Sequence, residues 1–164
     1  MVDLVIDVKR AAVAAATSGL GLATARALGA EGARVALCGR DADRLRTAVE
    51  GLRGDGFDVV GLVRDVSEPD GATGFVTDAA AAMGGLDILV TNAGGPPPGD
   101  FAGTDLDAYL PALRLNLLST VAMCRAAVPG MVELGRARVV AIAKDTDSTT
   151  QPNINLTNTA RAGA

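Results

Sequence analysis

The stretch Ala14-Ala15-Ala16-Thr17-Ser18-Gly19-Leu20-Gly21 decides the fold of this 164-residue chain. Its first two residues end a short apolar run, Ala11 to Ala15, which we interpret as the first strand. It leads into apolar residues at helical spacing between Leu20 and Gly29. Glycines between a strand and a helix let the backbone approach a pyrophosphate, to which the helix N-terminus presents free N–H groups. The alternative is a tight strand-to-helix turn that binds no ligand.

Strand-like and helix-like segments alternate along the rest of the chain. Such alternation predicts an α/β fold, with a parallel sheet covered by helices on both faces and joined by right-handed crossovers. Aromatic residues make up only 2% of the sequence, so the core must consist of aliphatic side chains. The further predicted strands are Arg34 to Gly39, Phe57 to Val63, Leu86 to Val90 and Arg138 to Ala143, and the further predicted helices begin after Asp41, at Glu68 and near Thr104, the last of them running to Met131.

Composition and charge exclude several classes of function. The net charge is −4 and the chain has no histidine, which argues against nucleic-acid binding, a catalytic triad and most metal sites. Cys38 and Cys124 match no metal-binding spacing, and we interpret both as buried free thiols, with a disulfide or a redox role as the alternative. The N-terminus is acidic where a signal peptide is basic, and no apolar run reaches membrane-spanning length. We therefore expect a cytoplasmic protein with no metal, nucleic-acid or membrane partner.

Two charged residues follow predicted strands at places where a dinucleotide can be recognised. Arg40 comes just after the second strand, where an acidic residue would bind the adenosine ribose of NAD. An arginine there favours the 2′-phosphate of NADP, and the alternative is an ion pair with Asp41 or Asp43. Asp65, after the third strand, can accept from an adenine amino group or cap the turn that follows it.

The segment Thr91-Asn92-Ala93-Gly94 ends the fourth strand. It lies at the carboxyl edge of the predicted sheet, beside the point where the strand order reverses, and ligands of open α/β sheets bind there. An asparagine in this place can bind backbone groups of two neighbouring strands. Three prolines follow, Pro96 to Pro98, and they favour a stiff extended loop.

Together, these features resemble the short-chain dehydrogenase/reductase family, in particular bacterial members similar to 3-oxoacyl-ACP reductases. The resemblance implies a Rossmann-like, doubly wound sheet of about five strands in the order 3-2-1-4-5, which lacks the family's last strands. It also implies NADP as cofactor, with NAD less favoured, and a carbonyl or alcohol substrate. The implied site residues are Asn116 for catalysis and Thr17, Ser18, Gly19, Leu20, Gly21, Arg40, Asp65, Val66, Asn92, Ala93 and Gly94 for the cofactor.

The chain departs from the family pattern in its glycine turn. The family turn reads T-G-x-x-x-G-x-G, and Ala14 and Ala15 occupy its first two places. A methyl group on Ala15 narrows the approach to the phosphates.

The family's serine, tyrosine and lysine are also unmatched. An ungapped reading places Lys144, Thr157 and Arg161 at those positions, and the one tyrosine, Tyr109, lies elsewhere. A threonine hydroxyl is a far weaker acid than a phenol, and a guanidinium keeps its proton. Thr146 and Ser148 are nearby hydroxyls that could take the serine role.

The sequence ends at Ala164, inside what should be the helix after the fifth strand, and the family continues with another strand, the substrate lid and a final strand. We expect one truncated dinucleotide-binding domain, residues 1–164, whose fifth strand is an exposed apolar edge that favours a homo-oligomer through the fourth helix and the helix after the fifth strand. Three functions remain open: an NADP-dependent oxidoreductase, a catalytically inactive NADP-binding or interaction module, and a decayed product.

Overall fold

The computed structural model describes residues 6–135, 137–143 and 153–162. The strands are β1 (Arg10–Val13), β2 (Arg34–Gly39), β3 (Val59–Val63), β4 (Ile88–Thr91) and β5 (Arg138–Ala141). The helices are α1 (Gly19–Ala30), α2 (Ala42–Gly54), α3 (Pro69–Met83), α4 (Tyr109–Leu113), α5 (Ser119–Glu133) and α6 (Asn155–Arg161). A 3-10 turn, Leu106–Ala108, precedes α4, and a π-helical turn, Arg114–Leu118, joins α4 to α5.

The five strands form one parallel sheet in the order β3-β2-β1-β4-β5, which confirms the predicted Rossmann-like arrangement. The chain first builds outward from β1 through β2 to β3 and then returns to add β4 and β5 on the other side. The strand order therefore reverses between β1 and β4, and a crevice opens there at the carboxyl edge.

Aliphatic side chains on both faces of the sheet form the core, as the composition predicts. Ala12 and Ala14 pack into one cluster with Phe75 and Met123, while Ala11 and Val13 pack into the other. Because consecutive residues of a strand point to opposite faces, a central strand covered on both sides must be apolar throughout. Ala11, Ala12 and Val13 of β1 are fully buried, and Arg10 is partly exposed.

Local signals set several helix ends. The Oδ1 atom of Asp41 accepts hydrogen bonds from the backbone N–H groups of Asp43 and Arg44, both at 3.0 Å, so Asp41 caps α2 as predicted. Gly84 ends α3 in the left-handed conformation, at a φ of 74°.

The predicted fourth helix, from Thr104 to Met131, is not one regular helix. Pro111 has no N–H group, and it stands third in α4, within the first turn, where that group is not needed. The π-helical turn then widens the backbone around Asn116. The continuous stretch Leu106–Glu133 is long and apolar enough to cross a membrane, but one side of it, including Met123, packs into the core.

The strand β5 lies at the edge of the sheet, and each of its four residues is exposed. Val139 and Val140 are 44% and 50% exposed. This is the exposed apolar edge that the sequence predicts.

Candidate functional site

The glycine turn bends between β1 and α1 through two residues with positive φ. Ala15 has a φ of 47° and Gly19 a φ of 56°. Because Ala15 leaves the extended conformation, β1 ends at Val13, two residues before the predicted end of the strand. A Cβ on Gly21 would lie 2.7 Å from the carbonyl oxygen of Ala15, so only glycine fits there. Ser18 precedes α1 in an extended conformation, and its side chain makes no capping hydrogen bond.

A cavity of about 630 Å³ opens at the carboxyl edge of the sheet, above this turn. Next to Gly19 the backbone leaves open space, with no atom within 4 Å of a Cβ built there. The cavity therefore has room for a group lying against the N-terminus of α1. Its lining includes Thr17, Ser18, Leu20, Arg40, Asp65, Val66, Asn92, Ala93 and Gly94 among the predicted cofactor-binding residues.

The side chain of Arg40 is exposed at the rim of this cavity. The two aspartates proposed as alternative partners pair with other arginines: Asp41 with Arg44 at 3.9 Å and Asp43 with Arg46 at 2.9 Å. Within the described part of the chain, Arg40 has no ion pair of its own. The geometry thus leaves its guanidinium available to an anion in the cavity.

Asp65 both caps a turn and lines the cavity. Its Oδ1 atom accepts a hydrogen bond from the backbone N–H of Ser67 at 2.9 Å. That bond, together with the Ser67 hydroxyl and the charge of Arg40, lowers the pKa of Asp65. Both sequence-based interpretations of Asp65 are therefore compatible with the structure, since a carboxylate has further acceptor positions.

Asn92 joins the ends of two neighbouring strands, as predicted. Its Nδ2 atom donates to the carbonyl oxygens of Ala14 and Ala15, at 3.2 Å each. These bonds fix the wall formed by Ala93 and Gly94 relative to the glycine turn. Through Ala15, they also hold the residue that has the positive φ.

Asn116 is buried in the π-helical turn and lies behind the cavity rather than in its lining. Its side-chain Nδ2 atom donates to the backbone carbonyl oxygen of Ala112 at 3.3 Å. The backbone carbonyl oxygen of Asn116 accepts a hydrogen bond from the hydroxyl of Thr120 at 2.8 Å. Asn116 lines a much smaller pocket of about 10 Å³ that also contacts Thr91 and Arg161.

The residues at the family's tyrosine and lysine positions occupy different environments. Thr157 is 5% exposed and belongs neither to the lining of the cavity above the glycine turn nor to that of the small pocket beside Asn116. Arg161 lines the large cavity, and its guanidinium donates to the carbonyl oxygens of Ile142 and Ala93, at 3.1 and 3.5 Å. The structure therefore brings Arg161 to the cavity, whereas Thr157, one turn earlier on α6, is buried and is not part of the cavity lining.

The other hydroxyl and amine candidates do not reach the site in the part that is described. The hydroxyl of Tyr109 accepts a hydrogen bond from the side chain of Asn155, on the side of α4 that packs against α6. Lys144, Thr146 and Ser148 lie outside the described residues.

Several cavity residues were missed by the sequence reasoning, among them Arg44, Arg64, Leu115 and Ile142. Arg44 stands one turn beyond Arg40 and Asp41, so a cluster of charge at the start of α2 was a usable signal. Leu115 and Ile142 are ordinary apolar residues, and nothing in their type marks them as part of a site.

A second cavity of about 440 Å³ adjoins the first, and the two share Gly95 and Leu115. The stiff loop Pro96 to Pro98 forms one side, and α4 with Leu156 of α6 forms the other. Among the described residues that line it, Asp105 is the only charged one.

Neither cysteine lies in a metal cluster. Burial raises the pKa of Cys38 to about 12, and Cys124 is partly rather than fully buried. Over residues 6–135, 137–143 and 153–162, no three side chains of His, Cys, Asp or Glu are grouped so that they could hold a metal ion.

Comparison with known proteins agrees with this fold. The sequence profile of the family described as short chain dehydrogenase matches residues 9–158. The chain is 43% identical over 135 residues to the protein named ketoacyl reductase 1 of the granaticin polyketide synthase of Streptomyces violaceoruber, covering 81% of this chain and 50% of that one. It is 33% identical over 159 residues to mouse dehydrogenase/reductase SDR family member 4, covering 94% and 57%.

Two solved structures have nearly the same fold. A variant of actinorhodin polyketide ketoreductase with NADPH superposes with a TM-score of 0.89 at 32% identity, covering 94% of this chain and 60% of that one. L-sorbose reductase from Gluconobacter frateurii, complexed with NADPH and L-sorbose, superposes with a TM-score of 0.93 at 29% identity, covering 98% and 62%. The chain thus spans about half to three fifths of these relatives' length, and it belongs to the short chain dehydrogenase family.

Proposed function

We propose that this chain binds NADP(H) and forms the cofactor-binding part of an oxidoreductase that acts on a carbonyl or alcohol. The observation that carries the proposal is the cavity at the reversal of strand order, which has the glycine turn on one side and Arg40 at its rim. The NADPH complexes among the structural relatives support it.

The described residues fit such a cofactor in its polar parts. The pyrophosphate would lie at the uncapped N-terminus of α1, against Ser18 to Leu20. The 2′-phosphate would lie near Arg40, with Arg44 beside it, and the adenine near Asp65. The nicotinamide would then reach the wall between Asn92 and Gly95, where bound NADPH would supply a hydride to a substrate carbonyl carbon.

The second cavity supports a substrate with an uncharged, apolar part. It opens from the first cavity beside Gly95, at the end where the nicotinamide would lie, and it is lined mostly by prolines and aliphatic side chains. A ketone such as a 3-oxoacyl thioester fits these requirements, and several relatives are named as ketoacyl reductases.

A second candidate, the catalytically inactive NADP-binding module, is favoured by one specific observation. Thr157 stands where the family has its tyrosine, and its buried side chain is not part of the cavity lining. The described residues thus bring no phenol hydroxyl to the cavity, because the hydroxyl of Tyr109 is hydrogen-bonded to the side chain of Asn155 in α6.

Titration calorimetry with NADPH and NADH tests the binding proposal. We expect NADPH to bind more tightly, and Arg40→Asp to weaken NADPH binding by about 10- to 100-fold, because one charge-assisted contact contributes about 1.5–3 kcal/mol. The matched control is Arg46→Asp, which removes an exposed arginine of α2 that does not line the cavity. Absence of binding by either dinucleotide at millimolar concentration would refute the proposal.

Oxidation of NADPH with the N-acetylcysteamine thioester of acetoacetate separates the two candidates. Turnover by the intact chain supports the oxidoreductase, whereas tight NADPH binding without turnover supports the inactive module. The same assay on Arg46→Asp controls for an unrelated change of surface charge.

We also propose that two copies of the chain associate through the long helical stretch. Exposed apolar side chains recur every three to four residues or at multiples of that spacing, along about 40 Å of helix. A stripe of this kind can pack on its own copy about a twofold axis. Its members are Leu106, Leu110, Leu118, Val121, Val128 and Val132.

Light scattering after size-exclusion chromatography tests the association. A Val121→Glu variant places a charge in the middle of the stripe and should give the mass of one chain, whereas Val63→Glu, on the exposed part of β3, should leave the dimer mass unchanged. A wild-type chain that runs as a monomer would refute this proposal.

A further inference from the structure

Arg161 joins three elements of the fold at the inner end of the cavity. It is the last residue of α6, and its Nη1 atom donates to the carbonyl oxygen of Ile142 at 3.1 Å. Its Nη2 atom donates to the carbonyl oxygen of Ala93 at 3.5 Å. Ile142 follows β5 and Ala93 follows β4 by two residues, so one guanidinium spans the carboxyl ends of both strands.

The cavity wall after β4 is therefore held from both sides. On one side, Asn92 donates to the carbonyl oxygens of Ala14 and Ala15, at the end of β1. On the other side, Arg161 binds Ala93 to the end of β5. Since β4 lies between β1 and β5, these two side chains fix the wall relative to both neighbouring strands.

The helix that carries Arg161 is itself docked on the domain. Leu156 and Ala160 are buried against α4, and the side chain of Asn155 donates to the hydroxyl of Tyr109. The backbone of Asn155 also binds the carbonyl oxygen of Gly99 at 3.0 Å. The packing of α6 on α4, from Asn155 to Ala160, thus holds the backbone that carries the guanidinium.

We propose that Arg161 is a positioning residue of the cofactor site, one that shapes the wall at Ala93 and Ile142 through their carbonyl oxygens without contacting the cofactor's phosphates. The proposal rests on the proposed NADP(H) binding. A planar guanidinium with several donors in a fixed fork suits two carbonyl oxygens from different strands, whereas an ammonium presents a single centre. Binding of the cofactor then depends on Arg161 through the shape of the wall.

We call the hydrogen bonds from Arg161 to the carbonyl oxygens of Ala93 and Ile142 the clamp. Hydrogen exchange of the cofactor-free chain measures it directly. The amide of Ile142 donates to the carbonyl oxygen of Thr91 at 2.9 Å, so its exchange rate reports how firmly the ends of β4 and β5 are joined. We expect Arg161→Met to raise that rate at least tenfold and Arg161→Lys to raise it less. The amide of Val35, which donates to Asp58 on the far side of the sheet, should stay unchanged.

NADPH titration at low and high salt completes the test. We expect Arg161→Met to weaken NADPH binding about tenfold at both ionic strengths. A changed shape of the cavity wall lowers affinity at any salt concentration, whereas the loss of a charge contact matters less when salt screens it. Arg138→Met is the matched control. It removes an exposed arginine of β5 whose guanidinium, within the described residues, donates only to the carbonyl oxygen of Ala137, and it should match the wild type in both measurements.

Two results would overturn the clamp. One is unchanged exchange at Ile142 in Arg161→Met. The other is a loss of affinity that is confined to low salt, which would indicate a direct contact between Arg161 and a phosphate. If Arg161→Met does not fold, the comparison of Arg161→Lys with the wild type decides the same question. If the wild type does not bind NADPH, the proposed function fails, and the exchange measurement still tests the clamp.

Discussion

Replacing Ala15 by glycine should stabilise this protein, although the same change destabilises most buried positions. Ala15 has a φ of 47°, in the left-handed region that L-residues with a Cβ avoid. It lines the cavity at the first bend of the glycine turn. The surrounding structure maintains this strained conformation. The side chain of Asn92 donates to the carbonyl oxygen of Ala15, and the N–H of Ala16 donates to the carbonyl oxygen of Cys38.

The expected size of the effect follows from two opposing contributions. Alanine in the left-handed region costs about 1–2 kcal/mol, which glycine does not incur. Glycine also makes the unfolded chain more flexible, which offsets about 0.5–1 kcal/mol of that gain. The net change in the free energy of unfolding lies between about 0 and +1.5 kcal/mol, and its midpoint corresponds to about 2 °C in Tm for a chain of this size. We also expect tighter NADPH binding, because the methyl group no longer narrows the turn.

Urea denaturation followed by circular dichroism measures the change, and Ala14→Gly is the matched control. Ala14 is fully buried without a positive φ, so its replacement loses about one buried methyl group and gains the same unfolded-state freedom. That variant should be destabilised by about 1.5 kcal/mol. If Ala15→Gly proves as destabilising as Ala14→Gly, the strain argument is wrong.

Three further substitutions test the packing and the electrostatics. Gly51→Ala, at a place in α2 where a Cβ meets open space, should stabilise the chain by about 1 kcal/mol, and a loss of stability in urea would contradict this. Gly21→Ala puts a methyl group 2.7 Å from the carbonyl oxygen of Ala15, so it should destabilise by about 1–3 kcal/mol, and a neutral result would refute the close approach. The hydrogen bond from Arg10 lowers the pKa of Asp87, so the stability from this pair is present above the unfolded value of about 4 and is lost as the pH falls through the lower folded value. Asp87→Asn should therefore cost about 1–3 kcal/mol near pH 7 and flatten the loss of stability in acid, and thermal melts from about pH 2 to pH 7 would show an unchanged slope if this is wrong.

The polar part of the candidate site was largely predictable because its residues are marked by type and by position. Asn92 and Asp65 each follow a strand, and parallel strands bring such residues to one edge. Arg40 was left with two interpretations, and only the structure shows that Asp41 and Asp43 pair with other arginines.

The helical half of the site was predicted less well, for a physical reason. Side-chain spacing shows that a segment is helical, but it does not show a π-helical turn, which depends on how the helix packs over its whole length. Asn116 therefore lies behind the cavity rather than in it, and Thr157 is buried outside the cavity lining. The roles predicted for these residues, the cytoplasmic location and the single-domain extent remain predictions.

The sequence by itself determined the alternation of strands and helices and the glycine turn, because these follow from local spacing. The sheet order was implied by the resemblance to the short-chain dehydrogenase/reductase family. Only the tertiary structure decided the backbone conformation of the turn and the side chains that contact the cavity wall beside it. The positive φ of Ala15 requires the neighbouring strands and the amide of Asn92 to hold it. The contacts of Arg161 with Ala93 and Ile142 join residues far apart in the chain, and no pattern along the sequence encodes where a docked helix points its last side chain.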